Sequence, residues 1–178
     1  GKSVESRDLP LLTIGSFKPG VKVIWLMFRQ HAWETGSSWV AEGAIRFLLS
    51  EDPATGRILQ HAVVKIFPYC DPDGMVHGGV RFNRNGYDLN RNWDVDDPAK
   101  MPEIHWQKKA MLDWVDAGKP VDLFLSLHNT ETGEYLEGPS GVPQLMSRFE
   151  GALARLTSFA PTRAARAMAQ TTTPGKPG

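Results

Sequence analysis

The chain has one cysteine, Cys70, among its 178 residues, so no disulfide can form within it. It has no excess charge of either sign, because 20 Lys and Arg residues balance 20 Asp and Glu residues. Without a long-range electrostatic field, neither a nucleic acid nor an anionic membrane is an expected partner. No apolar run approaches the roughly 20 residues that a membrane-spanning helix requires. These absences exclude an internal disulfide framework and argue against nucleic-acid-binding and membrane-spanning proteins.

The apolar residues that are present form two kinds of pattern, in a composition that is ordinary for a globular domain, with 41% hydrophobic and 22% charged residues. Near-continuous apolar runs predict strands, most of them covered on both faces. The predicted strands are 9–15, 21–28, 61–68 and 121–127. Apolar residues at helical spacing predict helices over 39–48, 104–115 and 145–156. The alternation favours a three-layer α/β/α sandwich with a mixed, largely parallel sheet.

Two stretches lack such periodicity. Residues 51–57, EDPATGR, are predicted to form a turn. Residues 69–100 form a long polar segment rich in Asn, Asp and Gly, and a loop of that length inside a compact domain is usually functional.

Polar residues follow two of the buried strands. His31 and Glu34 come directly after strand 21–28, and His128 comes directly after strand 121–127. Sites in α/β sheets form beyond the carboxyl ends of the strands, so parallel neighbours would bring these three side chains together. Two imidazoles and a carboxylate suit Zn²⁺, which in catalytic sites has three protein ligands and an open fourth position. The alternative is that each histidine is only a capping or packing residue, because an H-x-x-E pair alone often arises by chance.

The segment 68–94, PYCDPDGMVHGGVRFNRNGYDLNRNWD, is crowded with arginine and asparagine. Guanidinium groups bind carboxylates through two parallel hydrogen bonds, and amide groups add directional donors. A metal site beside such donors predicts a substrate with a free carboxylate near the bond to be cut. The alternative is that the arginines only pair with the aspartates of the same segment, at positions 71, 73, 88 and 94.

Three motifs in order, RQHAWETGSSW, DPDGMVHGGVRFNRNGYDLNRNW and LSLHNTE, resemble those of the M14 family of zinc metallocarboxypeptidases, in particular the branch containing the cytosolic carboxypeptidases. The opening GKSVESRDLPLLTIG is similar to the family's entry strand, and the resemblance covers nearly all of residues 1–137. It implies the zinc carboxypeptidase (phosphorylase/hydrolase-like) fold. The implied activity is hydrolysis at the C-terminus of a peptide or protein substrate. The sequence leaves the compartment open, and the family branch favours the cytoplasm.

The resemblance also implies roles for individual residues. One zinc ion per chain would be held by His31, Glu34 and His128. Asn90 and Arg91 would bind the terminal carboxylate of the substrate, and Arg81 would stabilise the oxyanion that forms at the scissile carbonyl. Arg7 would line a substrate subsite, on a weaker match. The chain departs from the family pattern at Asp71, where the family usually has Asn, and at Trp33, where a small residue is common.

The family's general base, a glutamate several dozen residues after the third zinc ligand, has no counterpart in this sequence. We therefore expect that glutamate beyond residue 178, and we expect the chain to be a fragment that is inactive by itself. Residues 1–160 are assigned to a partial catalytic domain and residues 161–178 to a low-complexity or truncated segment. Two alternatives stay open: a zinc-dependent N-acyl amino-acid deacylase of the aspartoacylase or desuccinylase type, and a non-catalytic zinc- or carboxylate-binding domain.

Overall fold

A computed structural model describes residues 1–129, 133–139, 141–156 and 166–168. The chain divides into two compact units, of which the first holds the described residues up to 129 and the second those between 130 and 173. The predicted segment 161–178 lies outside the described residues, apart from the short stretch 166–168.

The first unit is built on a four-stranded sheet. Its strands are β1 (Leu12–Ile14), β2 (Lys22–Phe28), β3 (Ala62–Phe67) and β4 (Leu123–Leu127), in the order β1-β3-β2-β4. The central strand β2 runs parallel to both β3 and β4, and β1 is antiparallel to β3. The sheet is therefore mixed and largely parallel, as the sequence predicts. Phe28 pairs with Leu127, so β2 and β4 end at the same edge of the sheet.

Helices cover both faces of this sheet. They are α1 (Thr35–Leu48), α2 (Pro53–His61), α3 (Pro72–His77) and α4 (Pro102–Asp116). Alternate residues of β2 and β3 pack against Met111 and Trp114 of α4, and the residues between them pack against Ile45 of α1 and Leu59 of α2. This arrangement gives the three layers that the sequence predicts. No helix in the described part of the chain is both long and apolar enough to cross a membrane.

The turn predicted over residues 51–57 is wrong, because helix α2 begins within it. The side chain of Asp52 accepts a hydrogen bond from the backbone N–H of Ala54, and Pro53 occupies the first turn of the helix. Both are strong helix-start signals. Because the helix has few buried residues, its sequence shows no apolar periodicity that would predict it.

The second unit contains β5 (Glu137–Pro139), α5 (Pro143–Leu156) and β6 (Arg166–Met168). Strands β5 and β6 pair in parallel. The helix predicted over 145–156 is confirmed as α5.

Candidate metal centre

The turn between β2 and α1 places His31 and Glu34 at the edge of the sheet. Arg29 adopts a left-handed backbone conformation with φ of 52°, which turns the chain as it leaves β2. Its guanidinium Nε donates to the carbonyl of Ala32 at 2.7 Å, and its backbone N–H donates to Ser37 Oγ at 3.1 Å. The backbone N–H of Glu34 donates to the carbonyl of His31, which closes the turn. Arg29 therefore fixes the geometry in which the imidazole and carboxylate face the same point.

His128 reaches the same point from β4. The residue after it, Asn129, accepts the backbone N–H of Ser37 at 2.8 Å, so the end of β4 is tied to the first turn of α1. Gly36 permits this contact, because a Cβ at that position would lie 2.5 Å from the Asn129 amide nitrogen.

The three predicted ligands converge. His31 Nδ1 lies 2.7 Å from one carboxylate oxygen of Glu34, and His128 Nδ1 lies 2.8 Å from the other. One potential ligand atom from each of the three residues lies within 4.8 Å of the others. His31 and Glu34 are 1% and 4% exposed, and the His128 side chain is 24% exposed. The group is thus enclosed on the side of the first two residues and open at His128.

The outer nitrogen of each imidazole also has a side-chain partner. His31 Nε2 lies 3.1 Å from Asp88 Oδ1, and His128 Nε2 lies 3.1 Å from Ser126 Oγ. When a metal-binding histidine donates its outer N–H to an oxygen, the tautomer and the ring orientation are fixed.

The charges of this group are mutually stabilised. Burial raises the pKa of Glu34, but the hydrogen bonds with His128 and His31 outweigh burial and lower that pKa to about 2. Burial lowers the pKa of His31, but its contacts with Asp88 and Glu34 outweigh burial and raise it above its ordinary value. Burial also raises the pKa of Asp88, which is nevertheless held well below its usual range by hydrogen bonds from His31, the Asn90 backbone and Arg81. Glu34 and Asp88 are therefore carboxylates at neutral pH.

These donors fit a zinc ion. Nitrogen, oxygen and nitrogen donors are the ligand types that zinc takes in catalytic sites with three protein ligands. Both inner nitrogens are Nδ1 atoms that face a carboxylate, and both outer nitrogens have oxygen partners. The partly exposed side at His128 leaves access for a fourth ligand.

Asp88 connects this centre to the arginine- and asparagine-rich part of segment 68–94. Its second carboxylate oxygen accepts from Arg81 Nε at 2.6 Å, and its first accepts from the backbone N–H of Asn90 at 2.8 Å. Phe82 and Asp88 also form an isolated antiparallel bridge, which folds the segment back on itself. Part of the alternative reading of this segment is therefore correct, because Arg81 does pair with an aspartate. The carboxylate of Asp88 thus contacts both Arg81 and the predicted ligand His31.

The two predicted carboxylate-binding residues lie next in the chain. Arg91 is exposed, and its guanidinium donates to the carbonyl of Asn90 at 2.8 Å. Within the described residues neither the Arg91 guanidinium nor the Asn90 side-chain amide contacts a carboxylate. Both groups are available to a ligand.

The side chain of Arg7 contacts residues other than the three predicted ligands and their hydrogen-bond partners. Its guanidinium pairs with Glu5 and with the fully buried Asp73. Arg84 and His77 also contact Glu5, at 2.8 and 2.7 Å. These bonds anchor the N-terminal segment to α3. The role of Arg7 in a substrate subsite stays a prediction.

Sequence reasoning missed two contributors to the centre. Asp88 was considered only as an ion-pair partner, although its place two residues before Asn90 put it in the same motif. Ser126 precedes His128 by two residues on a strand, and that spacing places both side chains on the same face. The period-2 pattern is the signal that could have found it.

Comparisons with known proteins agree with this geometry. The family model for zinc carboxypeptidases, Peptidase_M14, matches residues 1–136. Cytosolic carboxypeptidase 6 of Mus musculus is 36% identical over 138 residues, which are 74% of this chain and 26% of that protein. A metallo-carboxypeptidase from Pseudomonas aeruginosa, in complex with (2-guanidinoethylmercapto)succinic acid, matches with a TM-score of 0.81 and 29% identity over 98% of this chain and 48% of its own. A metallo-carboxypeptidase from Burkholderia cenocepacia matches with a TM-score of 0.80 and 25% identity, covering 96% and 48%.

The chain thus spans about a quarter of the mouse protein and just under half of each bacterial chain. Its α/β fold, a mixed sheet covered by helices, matches the fold of these carboxypeptidases. Because the family model matches well over half of its residues, the chain belongs to the zinc carboxypeptidase family, the M14 peptidases.

Proposed function

We propose that this chain supplies the metal-binding and carboxylate-binding parts of a zinc-dependent carboxypeptidase that removes C-terminal residues from peptides or proteins. The convergence of His31, Glu34 and His128 within 4.8 Å carries this proposal. Family membership supports it, and so does the contact between His31 and Asp88, which joins the proposed ligands to segment 68–94.

One zinc ion per chain would be held by His31, Glu34 and His128, and zinc when bound lowers the pKa of its water and polarises a carbonyl group. Arg81 would supply fixed positive charge where the oxyanion develops. Its Nε is bound to Asp88, so the guanidinium is held in place before the substrate arrives. Such preorganisation reduces the reorganisation needed during the reaction.

Asn90 and Arg91 would restrict the reaction to the end of a chain. A guanidinium and an amide can bind a free terminal carboxylate, whereas an internal residue has none to offer. The Pseudomonas aeruginosa relative was solved with a succinic acid derivative, which agrees with carboxylate recognition in this family. We propose that the complete enzyme acts in the cytoplasm, as the names of the cytosolic relatives indicate.

Family membership favours the peptidase over the N-acyl amino-acid deacylase. The two activities are distinguished in the complete enzyme by comparing release of C-terminal residues from peptides with hydrolysis of N-acyl amino acids. Faster hydrolysis of the N-acyl amino acids would contradict the proposal. A complete protein that binds zinc and hydrolyses neither substrate would instead be a non-catalytic binding domain.

Zinc binding tests the ligand assignment directly. Titration of the metal-free chain should give about one Zn²⁺ per chain, and His128→Ala should remove binding, because two remaining ligands leave the site incomplete. His61→Ala is the matched control, since His61 is an exposed histidine at the end of α2. Stoichiometric binding that survives His128→Ala would refute the assignment.

The carboxylate-binding role is tested with a pair of peptides that differ only in a free or an amidated C-terminus. Arg91→Ala in the zinc-loaded protein should weaken binding of the free acid by about 1.5–3 kcal/mol, the range for hydrogen bonds to charged groups, and should leave the amide unchanged. Arg46→Ala, on the exposed face of α1, is the control. An equal loss for both peptides would contradict the role.

A further inference from the structure

The contacts of His128 differ from those of His31 in one respect. Each ring directs Nδ1 toward Glu34 and has its Nε2 3.1 Å from a side-chain oxygen. For His31 that oxygen belongs to Asp88, a carboxylate that is itself fixed by Arg81. For His128 it is the hydroxyl of Ser126, which stands on the exposed side of β4.

The orientation of His128 depends on few other contacts. Its side chain is 24% exposed, against 2% for His31, so neighbouring atoms restrict the ring less. Among the described residues, its side-chain hydrogen bonds are those to Glu34 and to Ser126. A neutral imidazole carries one proton, and the group bonded at one nitrogen decides which nitrogen is left as the acceptor.

We propose that Ser126 is a positioning residue for the third metal ligand. With zinc at Nδ1, its hydroxyl would accept the Nε2–H of His128 and hold the ring in the orientation that binds the ion. This inference rests on the proposed function, because it assigns a role within the same metal centre.

A purely structural role for Ser126 does not account for these observations. The side chain is exposed, and in the described residues His128 is its hydrogen-bond partner. An exposed serine contributes little to a strand, where β-branched residues are preferred. The loss of its hydroxyl should therefore leave the stability of the sheet nearly unchanged.

Zinc affinity is the measurement that tests the proposal, with Ser126→Ala as the main variant. Loss of a group that orients a metal ligand typically weakens metal affinity about 10–100-fold, and the lower end is expected here because the bond is neutral and partly exposed. Ser126→Thr keeps the hydroxyl and should stay within about threefold of the wild type, because the same bond can form. Ser16→Ala, at an exposed serine just after β1, should bind zinc as the wild type does.

The Nε2–H proton of His128 gives a second readout, which a general loss of stability would not change. In the zinc-loaded wild type and in Ser126→Thr, the hydrogen bond to the hydroxyl should protect this proton from exchange with water, which NMR of the imidazoles measures. In zinc-loaded Ser126→Ala the same proton should exchange faster. Unchanged zinc affinity together with unchanged exchange of this proton in Ser126→Ala would overturn the inference while the metal centre stands. A wild-type protein that binds no zinc would overturn the proposed function, and this inference with it.

Discussion

Replacing Asp71 by asparagine is expected to stabilise the protein at neutral pH. The carboxylate is 0% exposed, and one of its oxygens accepts the backbone N–H of Gly74 at 2.8 Å. The other oxygen has no partner among the described residues. Burial, together with the nearby carboxylates of Glu103 and Asp73, raises the pKa of Asp71 to about 6 from its ordinary 3.8.

The size of the effect follows from this difference in pKa. A pKa change of one corresponds to 1.36 kcal/mol, so ionising Asp71 in the folded protein costs about 3 kcal/mol at pH 7 relative to the unfolded chain. The pKa of Asp71 is higher in the folded protein than in the unfolded chain. Protonated Asp71 therefore makes its full contribution to the free energy of unfolding below about pH 4, and this contribution is lost as the pH rises through about 6. Asparagine has a similar shape, caps helices as well as aspartate does and cannot ionise.

The assay is chemical denaturation of both proteins between pH 4 and pH 8. The two free energies of unfolding should be similar near pH 4, and Asp71→Asn should be more stable by about 1–3 kcal/mol at pH 7, since the new amide leaves a buried donor without a partner. Glu51→Gln, at an exposed acid between α1 and α2, is the control and should show no such pH-dependent difference. A difference that does not vary with pH, or a variant that is less stable at pH 7, would refute the reasoning.

Three further predictions concern the same unit. Gly74→Ala should destabilise the protein by about 1–3 kcal/mol, because its Cβ would lie 2.1 Å from Asp71 Oδ2. Gly43→Ala in helix α1, where a Cβ would have nothing within 4 Å, should stabilise the protein by about 0.5–1 kcal/mol. Thermal unfolding of both variants checks the two signs, and a stabilised Gly74→Ala would contradict the contact. Asp52→Ala should cost about 1 kcal/mol through loss of the α2 cap, and an unchanged midpoint in urea would show that the cap is unimportant. Zinc affinity should fall as the pH is lowered toward 6 and below, because the raised pKa of His31 means that protons compete for its ring; calorimetry across pH 5.5–8 measures this, and a flat profile would argue against His31 as a ligand.

The strands that position the site were predictable because burial leaves a simple pattern. The run 21–28 is β2 to within one residue, and β4 lies inside the predicted run 121–127. Parallel pairing at the same edge then accounts for the meeting of Glu34 with His128, 94 residues apart in the chain. Helix α2 escaped prediction because its start depends on the local chemistry of Asp52 and Pro53 and not on periodicity.

The contacts around His31, Glu34 and His128 were less predictable than the meeting of these three side chains. Which aspartate pairs with Arg81 depends on how segment 68–94 folds, and that segment contains one short helix, α3. Three aspartates of the segment were equally available in sequence besides Asp88. The choice follows from the bridge between Phe82 and Asp88, which brings Arg81 and His31 to the same carboxylate. Such a bridge has no signature that a single sequence shows.

The parallel pairing of β4 with β2 also has a consequence for when the proposed metal site can form. The chain between the end of β2 at Phe28 and the start of β4 at Leu123 forms a long loop. Closing it is slow, since the entropy of the intervening chain must be lost before distant contacts can compensate for it. A zinc ion held by His31, Glu34 and His128 would therefore find its three donors together only after β4 has docked beside β2. An ion bound there would favour the assembled unit by mass action and would hold the ends of the neighbouring strands β2 and β4 together.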